Sequence, residues 1–245
     1  MATPNSCHGK SARRCERGEH VKTALLFDLD GTLVDTDAVH LTAFQSVLAP
    51  HGIALSKAQY VEKIMGSSNA MIGEAFLSHL PMAEREATIE AKESAFRDML
   101  GKLQPVAGIA ALLDYAAAQG IRCAVVTNAP RANAAMVLKA LGLAERLPVQ
   151  IIGSELARSK PDPLPYLTGL EKTGAAAAHS VAFEDSLSGL RAALGAGLAA
   201  VGMTTTLDEA TLLRAGATIA VADFTDSRIL ELIRARMAYT TGGNR

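Results

Sequence analysis

The sequence predicts an α/β fold, an open parallel sheet carrying an inserted block of helices, on three observations. Short apolar runs alternate with helix-length amphipathic segments through most of the chain. The apolar runs are nearly continuous, as in strands covered on both faces. Between residues 36 and 102, four helical segments follow one another with no strand between them, which reads as a separate helical subdomain inserted after the first strand.

The elements follow in order. The first strand, 23–28, is almost wholly apolar and ends in carboxylates. Helical patterns lie at 38–49, 57–64 and 69–79, and a longer polar-faced one at about 83–99. Gly101 and Pro105 interrupt that block. A regular rhythm then begins with helix 109–118, closed by Gly120, and strand 122–127. Helix 131–141, strand 149–152, helix 163–173 and strand 180–183 come next. Helix 187–196, strand 199–202, strand 218–221 and helix 226–237 complete the pattern. The expected division is a core of 22–35 and 105–240, with a helical cap at 36–104. Residues 1–21 are polar, carry Arg13, Arg14 and Arg17, and lack the apolar stretch of a signal peptide. They are expected to be a disordered extension.

Composition narrows the function. Of 245 residues, 49% are hydrophobic and 20% charged, which is globular and not disordered composition. Lys+Arg number 24 against 25 Asp+Glu, a net charge of −1. No general affinity for nucleic acid or anionic membrane is expected from that balance. No apolar run approaches the roughly 18 residues of a membrane span. The three cysteines, Cys7, Cys15 and Cys123, are irregularly spaced. They give neither a disulfide framework nor a zinc pattern, so a reducing, cytoplasmic setting is expected.

Open parallel sheets bind ligands beyond the carboxyl ends of their strands, and four strand ends here carry chemistry. The first reads Phe27-Asp28-Leu29-Asp30-Gly31-Thr32. Asp28 and Asp30, two apart in extended backbone, project toward one side and repel unless a cation or a proton intervenes. Asp28-Leu29-Asp30-Gly31 is equally a turn sequence. The second strand ends in Thr127-Asn128-Ala129-Pro130, able to hold a phosphate oxygen or simply to cap a helix. After the third comes Lys160, stiffened by Pro161 and Pro163. It can offset phosphate charge, or it is an ordinary surface lysine. The fourth ends in Glu184-Asp185-Ser186, an acidic pair that suits an oxygen-loving cation or a helix N-terminus. Together, in this order, the four sets are improbable by chance.

These residues resemble the four motifs of the haloacid dehalogenase-like hydrolase superfamily: Asp28-Leu29-Asp30-Gly31-Thr32, then Thr127, Lys160 and Glu184-Asp185. The likeness spans about 22–237 and implies a Rossmann-like parallel sheet core. The inserted helices resemble the cap of the subgroup that holds phosphoglycolate phosphatase and β-phosphoglucomutase. Residues 126–134, with Phe183-Glu184-Asp185-Ser186, resemble broad-range sugar-phosphate phosphatases. The resemblance implies Asp28 as nucleophile and Asp30 as acid and base. Magnesium would be held by Asp28, the Asp30 carbonyl and Asp185, with Glu184 beside it. Thr127 and Asn128 would grip phosphoryl oxygens, and Lys160 would offset charge. His40 matches a mutase histidine and either touches substrate or orders the hinge. In the cap loop Gly66-Ser67-Ser68-Asn69, Asn69 stands where the mutases carry an arginine for a second phosphate. Ser67, Ser68 and Asn69 suit the hydroxyls of a small phosphorylated sugar or polyol. The implied function is a magnesium-dependent phosphatase. A phosphomutase and a phosphoglycolate phosphatase are the alternatives. A non-catalytic binding module fits less well, since every catalytic carboxylate is present.

Overall fold

The computed structural model describes residues 22–238. The extension expected at 1–21 lies outside the described residues, as does the end of the core beyond 238. Six strands form one parallel sheet: β1 (Ala24–Phe27), β2 (Arg122–Thr127), β3 (Val149–Ile152), β4 (Val181–Glu184), β5 (Ala199–Met203) and β6 (Ile219–Val221). Their order is β3-β2-β1-β4-β5-β6. The chain builds outward from β1 to β3 and then returns to lay β4 on the other side of β1. That reversal opens a crevice at the carboxyl end of β1, the ordinary ligand position in such sheets.

Helices α1 (Asp37–Leu48), α2 (Lys57–Lys63), α3 (Asn69–Leu77) and α4 (Met82–Met99) occupy the stretch between β1 and the rest of the core. Then α5 (Ile109–Ala118), α6 (Arg131–Ala140), α7 (Leu164–Thr173), α8 (Leu187–Gly195), α9 (Glu209–Arg214) and α10 (Ser227–Met237) flank the sheet.

Side-chain alternation along β1 explains why the strand is apolar throughout. Leu25 and Phe27 join one buried cluster with Leu112, Val137 and Ile233 of α5, α6 and α10. Ala24 and Leu26 join the opposite cluster with Tyr166, Leu190 and Leu212 of α7, α8 and α9. Phe27 stacks on Phe183 of β4 with ring centroids 4.8 Å apart, which anchors the two acid-bearing strands side by side.

A third cluster, of Phe44, Leu48, Leu55, Tyr60, Ile64, Ile72 and Leu77, sits within α1–α3 and their connections. Local caps set where these helices begin. Ser56 Oγ accepts from Gln59 N at 3.2 Å, and Gln59 Oε1 accepts from Ser56 N at 2.9 Å, a reciprocal capping box at the start of α2. The two chain crossings into and out of this block run together. Val34 bridges Pro105 in antiparallel fashion, and Val106 N donates to Leu33 O at 2.9 Å.

Two differences from the sequence reading have physical causes. Helix α9 was not expected: it has six residues and a single buried one, Leu212, so it shows almost no periodicity. Its start is fixed by Asp208, whose side chain accepts from Thr211 N at 2.6 Å. Strand β4 runs to Glu184, not Phe183, so Glu184 sits in the sheet with zero exposure while Asp185 begins the turn beyond it.

Candidate active site

The crevice at β1 is roofed by the helical block and encloses a cavity of about 70 Å³. Asp28, Asp30, Thr127, Asn128, Lys160 and Asp185 line its sheet side. His40, Ser67 and Asn69 line it from the helices. Of the residues selected from sequence, Glu184 and Ser68 do not line it. Glu184 lies directly beneath. Ser68 is instead the N-cap of α3, its hydroxyl accepting from Met71 N at 3.4 Å, because a serine ahead of a helix start satisfies an orphan N–H.

At the floor, Asp28 follows β1, and its N–H donates to Phe183 O at 3.0 Å, which extends the β1–β4 pairing to the carboxylate itself. Lys160 is 1% exposed. Its Nζ lies 2.9 Å from Asp28 Oδ1 and 2.6 Å from Glu184 Oε1. Tyr166 of α7 also donates to Glu184 Oε1, at 2.5 Å, and Ser186 donates to Oε2 at 3.4 Å. Glu184 thus has three side-chain donors, whereas Asp185 accepts from Thr32 Oγ1 at 3.4 Å.

Charge does not balance at this end. Three buried carboxylates, Asp28, Glu184 and Asp185, face the one ammonium of Lys160. Burial, reinforced by Glu184, pushes the Asp28 carboxyl up to about 7 despite Lys160. Burial and then the charges of Asp28 and Glu184 raise Asp185 well above the carboxylate range. Burial works against the charge on Lys160 as well, yet Asp28 and Glu184 outweigh it and hold the ammonium protonated. One ligand oxygen from each of the three acids can lie within 4.8 Å of the others. An all-oxygen, electron-rich and partly uncompensated set is the kind that a hard divalent cation fits. Gly31, at φ +75°, lets the turn after β1 pass close to this set: a Cβ there would meet Asp185 Oδ2 at 2.1 Å.

Asp30 differs from its neighbour. Thr36 Oγ1 donates to its Oδ1 at 2.6 Å, and His40 Nε2 lies 3.4 Å from the same oxygen. Burial acts to raise its pKa, but the bonds from His40 and Thr36 prevail and hold it below the usual range. His40 is itself steadied by stacking on Phe96, ring centroids 4.0 Å apart. The histidine thus reaches the acid from α1.

Thr127 ends β2, and its hydroxyl oxygen accepts from Ala129 N at 3.0 Å. Asn128 is a joint. Its Nδ2 donates to Gly66 O at 3.0 Å and to Lys160 O at 3.1 Å, and its Oδ1 accepts from Lys160 N at 3.2 Å. It ties the cap loop to the lysine loop. At Gly66, φ +70°, a Cβ would meet Ser186 Oγ at 2.4 Å, so the cap loop rests directly on the acidic turn after β4.

Several site residues escaped the sequence reading. Tyr166 looks like a core aromatic of an amphipathic helix. Lys92 and Glu93, which line the cavity from α4, look like part of a solvated helix face. Asn133 of α6 and Asp37 of α1 carry no spacing that marks them. Asp37 accepts from Tyr60 at 2.9 Å and from the hydroxyl of Thr206, joining cap and core.

Comparison with known proteins agrees with this geometry. The chain is 34% identical over 180 residues to a phosphoglycolate phosphatase of Xanthomonas campestris pv. campestris, covering 73% of this chain and 81% of that one. It is 29% identical over 201 residues to a phosphorylated carbohydrates phosphatase of Thermotoga maritima, covering 79% and 91%. The crystal structure of CbbY from Rhodobacter sphaeroides, in complex with xylulose-(1,5)bisphosphate, superposes with a TM-score of 0.72 at 30% identity, covering 84% and 96%. The profile described as haloacid dehalogenase-like hydrolase matches residues 25–203, with the motif-bearing strand ends inside that span. The chain belongs to the haloacid dehalogenase-like hydrolase family.

Proposed function

We propose that this chain is a magnesium-dependent phosphomonoester hydrolase that acts on small phosphorylated sugars or polyols through an aspartyl-phosphate. The observation that carries the reading is Asp28, buried at the cavity floor, with Lys160 Nζ 2.9 Å away and Asp185 beside it. A carboxylate held this way lines the cavity beside a fixed cation that draws in phosphate.

Asp28 attacks phosphorus and the substrate's alkoxide leaves. Asp30 protonates that oxygen and then takes a proton from the water that hydrolyses the acyl phosphate. The bonds from His40 and Thr36 keep Asp30 ionised before substrate arrives, which suits the second role. Arrival of an anionic phosphate raises its pKa and prepares the first. Thr127 and the backbone N–H groups after β2 hold phosphoryl oxygens, while Asn128 keeps Lys160 in register. Asp28 and Asp185, with Glu184 behind them, would hold magnesium, which when bound cancels repulsion between the nucleophile and the phosphate. Residues 36–104 act as a cap that excludes water. Asn69 in place of an arginine favours hydrolysis over phosphoryl transfer between two ends of a sugar phosphate, because a second phosphate lacks a bidentate partner there.

Two measurements test the reading. Turnover of p-nitrophenyl phosphate should appear with magnesium and stop with a chelator. Rapid quenching during turnover should trap a phosphoryl group on the peptide containing Asp28. A label on any other residue, or undiminished rates in excess chelator, removes the mechanism.

A further inference from the structure

The cap end of the cavity is built around a buried charge pair. Lys92 and Glu93, consecutive on α4, are 3% and 2% exposed, and both line the cavity. Lys92 Nζ lies 3.1 Å from Glu93 Oε1 and 4.4 Å from the centre of the Phe44 ring. Glu93 Oε1 also accepts from Asn69 Nδ2 at 2.8 Å, and Oε2 accepts from Asn133 Nδ2 at 2.5 Å. Arg97 donates to Asn133 Oδ1 at 3.0 Å, which fixes the amide face that Asn133 turns toward Glu93. The position thus requires an acceptor on both oxygens, and a carboxylate supplies that.

Both groups line the same cavity as Asp28, so the non-phosphate end of a substrate seated there can reach them. The helices contribute one further acid to the lining, Asp37 of α1, whose carboxylate already accepts from Tyr60 and Thr206. An isolated buried ammonium would attract an anion strongly, since little water remains to screen it. Here the ammonium is already matched, and its partner carboxylate is itself locked by two amides. A second anion entering would meet one cation shared between two negative charges. A hydroxyl group meets no such penalty, because Lys92 retains N–H donors beyond the one given to Glu93.

We propose that Glu93 is a specificity-determining residue: by cancelling the charge of Lys92 it selects phosphate esters of uncharged, hydroxylated compounds and disfavours substrates bearing a carboxylate or second phosphate at the cap end. This rests on the phosphatase reading above and sharpens it to a substrate class. It separates this chain from a phosphoglycolate phosphatase on the charge of the distal group alone.

The test uses the full chain with magnesium and three substrates: glycerol 1-phosphate, 2-phosphoglycolate and p-nitrophenyl phosphate. The wild type should favour glycerol phosphate over phosphoglycolate in kcat/KM by about tenfold or more. Glu93→Gln, which removes the carboxylate bonded to Lys92 and leaves only the charge of Asp30 nearby, should lower that ratio by about tenfold, equivalent to about 1.4 kcal/mol. Lys92→Gln, which leaves Glu93 unmatched, should raise it. Opposite shifts are the decisive signature, because damage to packing alone lowers both substrates together. A wild type that prefers phosphoglycolate overturns the proposal even where a variant fails to fold. So do two variants that move the ratio the same way or not at all. Failure of the wild type to hydrolyse even p-nitrophenyl phosphate would instead strike the phosphatase reading beneath it.

Discussion

The two ends of the cavity solve opposite electrostatic problems. The sheet end gathers three buried carboxylates about one lysine and is left anionic. On the roof, α4 instead sets one carboxylate against one lysine, a matched pair. The sheet end is fixed by parallel register: Asp28 pairs on from β1 to Phe183, and Lys160 is wedged between two strand mouths. The cap end is fixed by side-chain amides reaching across from α3 and α6 to α4. The floor is thus set by backbone pairing and buried charge, and the roof by side chains that reach between helices.

The contrast breaks most completely at the nucleophile. Asp28→Asn keeps the shape of the floor but cannot attack phosphorus. The kcat for p-nitrophenyl phosphate should fall by about 10⁴-fold or more, with an unchanged circular dichroism spectrum. Activity above a few hundredths of wild type would remove Asp28 from that role.

The anionic floor makes the next prediction. Asp185→Ala should raise the magnesium needed for half-maximal rate by about 10–100-fold. Magnesium affinity should also depend on pH with a definite sign. A carboxyl pushed up to about 7 holds a proton below that pH, and the cation must displace it. Affinity should therefore fall as pH drops through 7, by up to about tenfold per unit, and level off above it. Titrating magnesium by calorimetry at several pH values checks this, and a flat profile would contradict the assignment.

A smaller effect separates floor from roof. Lys160→Ala should depress all substrates together. Asn69→Ala, which removes one of the donors that hold Glu93, should change the ranking among sugar phosphates by up to about tenfold. Uniform losses from both variants across a substrate panel would erase the distinction. The smallest effect lies in the cap's own scaffolding. Ser56→Ala removes the α2 capping box and should cost about 1 kcal/mol of stability in urea unfolding without changing substrate ranking.

The floor was legible in the sequence because strands carry chemistry at their ends. Asp28 with Asp30, and Glu184 with Asp185, are near neighbours in the chain, and apolar runs before them mark the strand mouths. The roof was not, because it is made by packing between distant helices. In Glu90-Ala91-Lys92-Glu93-Ser94, charge and small residues look like an exposed helix face. Burial arises only once α4 lies across α1 and reaches Asn133, forty residues on. Tyr166 was hidden for the converse reason, an aromatic in an apolar stripe that also donates a hydrogen bond. Ser68 read as a substrate contact because a capping serine and a binding serine look alike in sequence.

Asn128 has a consequence for the order of events in each turnover. Of its three hydrogen bonds, one reaches the cap at Gly66 and two stay with the Lys160 loop. Lifting the cap breaks the first, a loss of about 1 kcal/mol, and leaves the others to hold the lysine beside Asp28. Were the helical block to move, the lysine's place beside Asp28 would not depend on it.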